Sequence, residues 1–144
     1  MANEMPSADK FTGLSRKVIE YSEGFAKISK RLQKGPVSDA DWAQFETVVD
    51  VENFERQGVF LTAKAEICGW KKYKEIISSY AGGTIWEGTL RHITESQNRV
   101  VLELEERNIR GGITNVSNTV TIYEFNEASQ VRHLEVYVMP LSEH

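Results

Sequence analysis

An acid that continues an apolar strand face is a candidate proton carrier, and the run Arg99–Ile109 contains one. Val100, Leu102 and Leu104 fall on one side of this alternating stretch, and Glu106 is the next residue on that side. Turned into an apolar cavity, such a carboxylate can give or take a proton. At the exposed end of a sheet it would only pair across strands. Arg56, in the run VENFERQ, shares a face with Phe54 and opposes Glu55. A guanidinium there can hold a carboxylate, a phenolate or a developing oxyanion, or else sit in a rim salt bridge. His92 shares the side of Trp86, Gly88 and Leu90 and is expected inside, as a proton shuttle or as a core imidazole bonded to backbone. Tyr21 interrupts an apolar helical stripe, so its ring is buried while its hydroxyl needs a partner. Phe54, Tyr80, Trp86 and Tyr123 supply either an aromatic wall for an apolar substrate or ordinary core packing. Thr121 and Tyr123 share a face with Thr119 and are the polar candidates among them. His133, Glu135 and Tyr137 form a second polar triplet, but opposite the aliphatic Leu134, Val136 and Val138 they belong to the outer face. Without a fourth ligand they make no metal site.

Four strand-like segments position most of these residues: Trp86–Thr94, Arg99–Ile109, Asn115–Phe125 and Val131–Val138. Ser96-Gln97-Asn98, Gly111-Gly112 and Asn126-Glu127-Ala128-Ser129 supply the turns of an antiparallel meander. Upstream, Leu14, Val18, Tyr21, Phe25, Ile28 and Leu32 fall on one stripe of a helix from Phe11 to Lys34, ended by Gly35-Pro36. Ser38 with Asp41 predicts a capped short helix burying Trp42 and Phe45. Val51–Phe60 reads as a short strand turning at Gly58, and Gly69-Trp70 opens a third helix that Gly82-Gly83 closes. Residues 1–10 are polar and expected to be disordered; residues 11–140 form one domain. The expected fold class is α+β, a cone-shaped barrel in which three N-terminal helices pack on a strongly bent antiparallel sheet. Sheet and helices enclose a cavity.

Composition narrows the partners. The chain has 144 residues and 16.4 kDa, a net charge of −4 and a pI near 5.4, with no basic stripe for nucleic acid or an anionic membrane. No apolar run approaches a membrane span and no secretory pattern opens the chain, so a cytoplasmic protein is expected. The single cysteine, Cys68, excludes an internal disulfide and a cysteine-based zinc site. Gly-rich phosphate loops and credible metal ligand sets are missing, so no cofactor is expected.

Three stretches carry a resemblance to a known family: GWKKYKEIISSY, NRVVLELEERN and VTIYEFNEASQVRHLEVYV. From Phe11 to Met139 the chain resembles the nuclear transport factor 2-like superfamily, and within it the SnoaL-like group of polyketide cyclases, ketosteroid isomerases and limonene-epoxide hydrolases. The resemblance implies that Arg56 stands where the isomerases carry their carboxylate base, and Thr121 where their second acid falls. It also implies that Glu106 matches an acid of the epoxide hydrolases, while Leu104 and Val136 replace that family's arginine and second acid. Tyr21 corresponds to the hydroxyl-bearing tyrosine of the isomerases' first helix, and His92 to an inward position on the first long strand. The family further implies association of subunits through the outer sheet face, a homodimer or other homo-oligomer.

Residues and resemblance together predict a cofactor-independent enzyme working by general acid/base proton transfer in an apolar cavity. It would be a lyase, isomerase, cyclase or dehydratase acting on an aromatic, polyketide or terpenoid substrate. Glu106 and His92 would move protons while Arg56 and Tyr21 stabilise charge on oxygen; Phe54, Tyr80, Trp86, Thr121, Tyr123 and Val136 would bind the substrate. The alternatives are a non-catalytic binding or oligomerisation module with Arg56 and Glu106 ion-paired, and an epoxide hydrolase.

Overall fold

The computed structural model describes residues 4–59 and 64–141. In chain order these form α1 (Gly13–Leu32), α2 (Asp39–Glu46), β1 (Glu55–Gly58), β2 (Glu66–Cys68), α3 (Trp70–Tyr80), β3 (Ile85–Ser96), β4 (Arg99–Arg110), β5 (Ile113–Phe125) and β6 (Val131–Pro140). Strands β3 to β6 are the expected meander, and the full sheet runs β2-β1-β6-β5-β4-β3. Contrary to expectation the sheet is mixed. β1 lies parallel to β6, with Arg56 beside Leu134, and β2 pairs antiparallel with β1. Hairpin turns dictate antiparallel neighbours only between consecutive strands, whereas α3 and four strands separate β1 from β6 and leave its direction free. The expected strand over Val51–Phe60 contracts to Glu55–Gly58; residues 51–53 form a turn, and Phe60 lies outside the described residues.

Register decides which side chains face the helices. Across the sheet, Leu102 stands opposite Thr121, which stands opposite Val136; Val100, Tyr123, Leu134 and Arg56 form the adjoining row. Pairing of β4 with β5 continues without a break from Arg99 to Arg110, so Glu106 stays on the apolar side with Leu102 and Leu104. Between Leu90 and His92 the β3–β4 register shifts by one residue. Arg91 is the extra residue, Ile93 takes the inward place opposite Leu102, and His92 turns out to face Glu103.

On α1, Val18, Tyr21 and Ile28 are buried as expected, joined by Ile19. Thr12 precedes the helix but makes no side-chain cap. The cap comes from the far end of β3, where Glu95 Oε1 accepts hydrogen bonds from the Ser15 N–H at 2.8 Å and its Oγ at 2.9 Å. A carboxylate at this end also complements the helix dipole. At α2 the Asp41 carboxylate accepts from the Ser38 N–H at 2.8 Å, which with a second bond from the Ser38 hydroxyl and Arg31 holds it below its ordinary range.

The two helices meet at Gly24, where a Cβ would stand 2.8 Å from Phe45 Cγ and 3.2 Å from Phe45 Cβ. Phe45 itself is held edge-on by Tyr21 and Trp70, with centroids 4.9 and 5.2 Å away. Gly24→Ala should therefore destabilise the protein. The helix gains about 1 kcal/mol of propensity, but forcing apart this packed contact costs about 1–3 kcal/mol. Thermal denaturation should show a midpoint lower by up to about 6 °C, and a raised midpoint would contradict the close contact.

Residues 4–10 are docked rather than disordered. The Glu4 N–H donates to the Gly88 carbonyl at 2.9 Å, and the Ala8 N–H donates to Glu23 Oε1 at 2.8 Å, with Ala8 buried. β3 is the sheet's edge, and its open carbonyls accept a segment that composition alone reads as solvated. Residues 1–3 of that expectation lie outside the described residues. Among the described residues, no helix is long and apolar enough to cross a membrane.

Candidate functional site

Between α1, α3 and the inner sheet face lies a cavity of about 210 Å³. Arg56, Glu106 and Tyr21 line it, as do Tyr80, Trp86, Thr121, Tyr123 and Val136. His92 does not; the bulge at Arg91 leaves it exposed on the opposite face. Phe54 is buried behind the wall, where its ring stacks on Tyr73 at 5.8 Å and meets Trp70 edge-on at 5.0 Å. It supports the cavity without touching its space. Tyr73, Ser22 and Asn108 are lining residues that sequence reasoning passed over. Tyr73 belongs to the apolar stripe of α3, and only its hydroxyl hinted at more. Asn108 follows Glu106 on the same strand face, which was a usable signal.

The carboxylate side is held by Trp86. Its Nε1–H donates to Glu106 Oε1 across the β3–β4 pair. To reach it the indole crosses Gly88, the register partner of Glu106, and a Cβ there would lie 2.8 Å from the ring. Phe25 of α1 meets the indole edge-on with centroids 6.0 Å apart, and Met5 of the docked N-terminal segment closes on Gly88 from beyond. Ring, glycine and strap thus set where the Glu106 oxygen points.

Away from the carboxylate the walls bring together Arg56, Tyr21, Tyr73 and Tyr123, each almost fully buried. The Arg56 guanidinium lies 5.3 Å from the Tyr73 ring centroid, and its Nη2 donates to the Val59 carbonyl at 3.4 Å. Burial pushes the Tyr21 hydroxyl well above the ordinary phenol range, reinforced by its Tyr73 and Tyr123 neighbours and opposed weakly by Arg56. Burial likewise raises Tyr73, against the pull of Arg56, and raises Tyr123, where Tyr73 and the Glu106 charge add to it. All three hydroxyls therefore keep their protons and act as donors. Tyr21 Oη sits beside the Tyr73 hydroxyl, which is its hydrogen-bond partner. The rim carries Val59 and Val138, at 43% and 47% exposure. The arrangement is an apolar floor of Leu102, Leu104, Leu134 and Val136 on the sheet with a carboxylate on one side and buried proton donors on another.

No family model matches the sequence, and no curated protein matches it. Solved structures do match. An NTF2-like protein of unknown function from Burkholderia pseudomallei K96243 superposes with a TM-score of 0.65 at 13% identity, over 88% of this chain and 91% of that one. A candidate SnoaL-like polyketide cyclase from Jannaschia sp. CCS1 gives 0.64 at 12%, over 96% and 91%. This chain has the NTF2-like fold. A candidate isomerase from Rhodopseudomonas palustris shares it, with a TM-score of 0.64 at 10% identity over 85% and 88%. Identities this low carry the NTF2-like architecture and its cavity between helices and curved sheet, but no residue's role.

Proposed function

We propose that this NTF2-like protein is a cofactor-independent enzyme that moves protons on a small, largely apolar substrate bearing an oxygen. The observation that carries the reading is the Glu106 carboxylate, oriented by Trp86 into an apolar cavity whose other walls hold Arg56 and the buried hydroxyls of Tyr21 and Tyr73. Glu106 would take a proton from the carbon next to a carbonyl. The electron pair of that bond moves onto the oxygen, where Tyr21, Tyr73 and Arg56 stabilise the negative charge, and the proton returns at the same or a conjugated carbon. Isomerisation, cyclisation and lyase chemistry all begin this way. Thr121, Tyr123, Tyr80, Trp86 and Val136 shape the space around the substrate, and His92 has no part in it. The alternative in which Glu106 serves only as an internal partner of Arg56 is disfavoured, since among the described residues the Glu106 carboxylate is engaged by the Trp86 Nε1–H. Leu104 and Val136 leave the epoxide-hydrolase alternative without an arginine and a second acid.

The deciding experiment is exchange of carbon-bound hydrogen into deuterated water, followed by proton magnetic resonance on a panel of one-ring ketones and enones. The protein should accelerate exchange beside the carbonyl, and Glu106→Gln should return it to the buffer rate. Equal exchange by both proteins across the panel would sink the proton-transfer reading.

We further propose a homo-oligomer joined through the outer sheet face, where Tyr137 and Met139 of β6 are 55% and 58% exposed. Light scattering should report a dimer that Met139→Glu converts to monomer; a wild-type monomer at all concentrations would contradict it.

A further inference from the structure

We infer that the substrate of this cavity carries a carboxylate at the end nearest the β4–β5 turn, held there by Arg110 with Asn108 beside it. This rests on the cavity being the working site, as proposed above, and adds the class of molecule it accepts: an oxo acid rather than a plain ketone.

Strand period places the two residues. On β4 the inward face of Leu102, Leu104 and Glu106 continues through Asn108 to Arg110, because pairing with β5 is unbroken to that point. Asn108 lines the cavity and is half-buried, and its carboxamide makes no hydrogen bond to any described residue. Its donors and its acceptor are therefore open to a ligand. Arg110 follows at the open end. Its guanidinium lies over the Tyr80 ring, 5.7 Å from the centroid, and Tyr80 is itself a wall of the cavity. Nη1 donates to the hydroxyl of the buried Thr84 at 3.2 Å, and the fork rests against Gly83, where a Cβ would stand 3.6 Å from Nη2. Ring and hydroxyl hold a side chain that would otherwise sweep through water. The remaining N–H groups of the fork meet no acceptor among the described residues.

Charge decides what the fork is for. Arg16, Arg31, Arg99, Arg107 and Arg132 each pair with a carboxylate of the protein. Arg110 pairs with none among the described residues, although the chain carries 21 acidic residues against 17 basic ones. Within the cavity wall Arg56 and Glu106 offset one another, so no lining acid answers the Arg110 charge. An anionic group on the ligand supplies the partner, and one planar guanidinium matches a carboxylate better than a phosphate dianion. From Glu106 to Arg110 the strand runs about 13 Å, so this carboxylate lies several bonds from the carbon that Glu106 deprotonates. The carbons between them meet Tyr80, Leu104 and Val138.

The test uses binding alone. 3-Cyclohexylpropanoate and its neutral isostere 3-cyclohexylpropanamide would be titrated into the protein, reading the indole N–H resonance of Trp86 and assigning it with Trp86→Phe. At low salt the acid should bind about 10-fold more tightly than the amide, and about 0.5 M salt should reduce that preference to about 3-fold or less. Arg110→Gln should bring it below about 2-fold while amide affinity stays unchanged, which also reports an intact cavity. Asn108→Ala should weaken both ligands by about 3-fold or more, since a carboxamide can bond an oxygen of either. Equal binding of acid and amide, a preference undiminished in Arg110→Gln, which would seat the carboxylate on Arg56 instead, unaltered binding in Asn108→Ala, or no binding by either ligand would each overturn the inference. Should the acid preference appear while no ketone exchanges hydrogen, the catalytic reading falls and the ligand class stands. Exchange of neutral ketones without any acid preference leaves the catalytic reading in place and removes the carboxylate.

Discussion

Glu106→Gln should lower catalysed carbon–hydrogen exchange by roughly 10²–10⁴-fold without measurable loss of stability. Glutamine has the shape of glutamate and keeps an oxygen that can accept the Trp86 Nε1–H, so the side chain stays oriented. Only the capacity to take up a proton is removed. Because that capacity is exercised in the transition state and not in substrate binding, kcat and kcat/KM should fall together with KM nearly constant. A rise in KM with kcat unchanged would instead make Glu106 a binding group. Unaltered kinetics would place the chemistry elsewhere in the cavity.

Alkaline solution should unfold the protein with unusual steepness, because three of its five tyrosines sit protonated inside it. In the unfolded chain a tyrosine ionises near pH 10. In the folded protein burial holds Tyr21, Tyr73 and Tyr123 neutral beyond that value. Below about pH 10 both states bind the same protons and these groups leave stability independent of pH. Above it the unfolded state has lost protons that the folded state retains, so stability falls as pH rises. Each such group changes the folding constant by up to about tenfold per pH unit, and the three together by up to about a thousandfold. Ultraviolet titration of phenolate should show three tyrosines ionising only as circular dichroism reports unfolding. Five tyrosines titrating in the folded protein near pH 10 would refute the buried hydroxyl cluster.

These expectations show how unevenly the site was written in the chain. The alternation Val100, Leu102, Leu104, Glu106 was enough to place Glu106 on the inner face, because a strand's period of two is a local property that unbroken pairing with β5 preserves. The same rule failed on β3. Whether the extra residue at Arg91 is accommodated as a bulge depends on the partner strand, so His92 reads as inward and stands outside. Phe54 was legible as buried, but burial in the core and contact with a cavity give the same apolar signal. Only the stacking of Tyr73 between Phe54 and the open space separates them.

By itself the sequence determined the three helices, the four long strands, their turns, and which faces of those elements are apolar. Each of these follows from residues within a few positions of one another, through periodicity, capping pairs such as Ser38 with Asp41, and turn-forming glycines. Tertiary structure decided the parallel seating of β1 on β6, the capping of α1 by Glu95 eighty residues away, the docking of Glu4 on the β3 edge, and the meeting of Arg56, Tyr21 and Tyr73 around one cavity. Those contacts join segments far apart in the chain, and no local pattern encodes a distance that only the packed core can close.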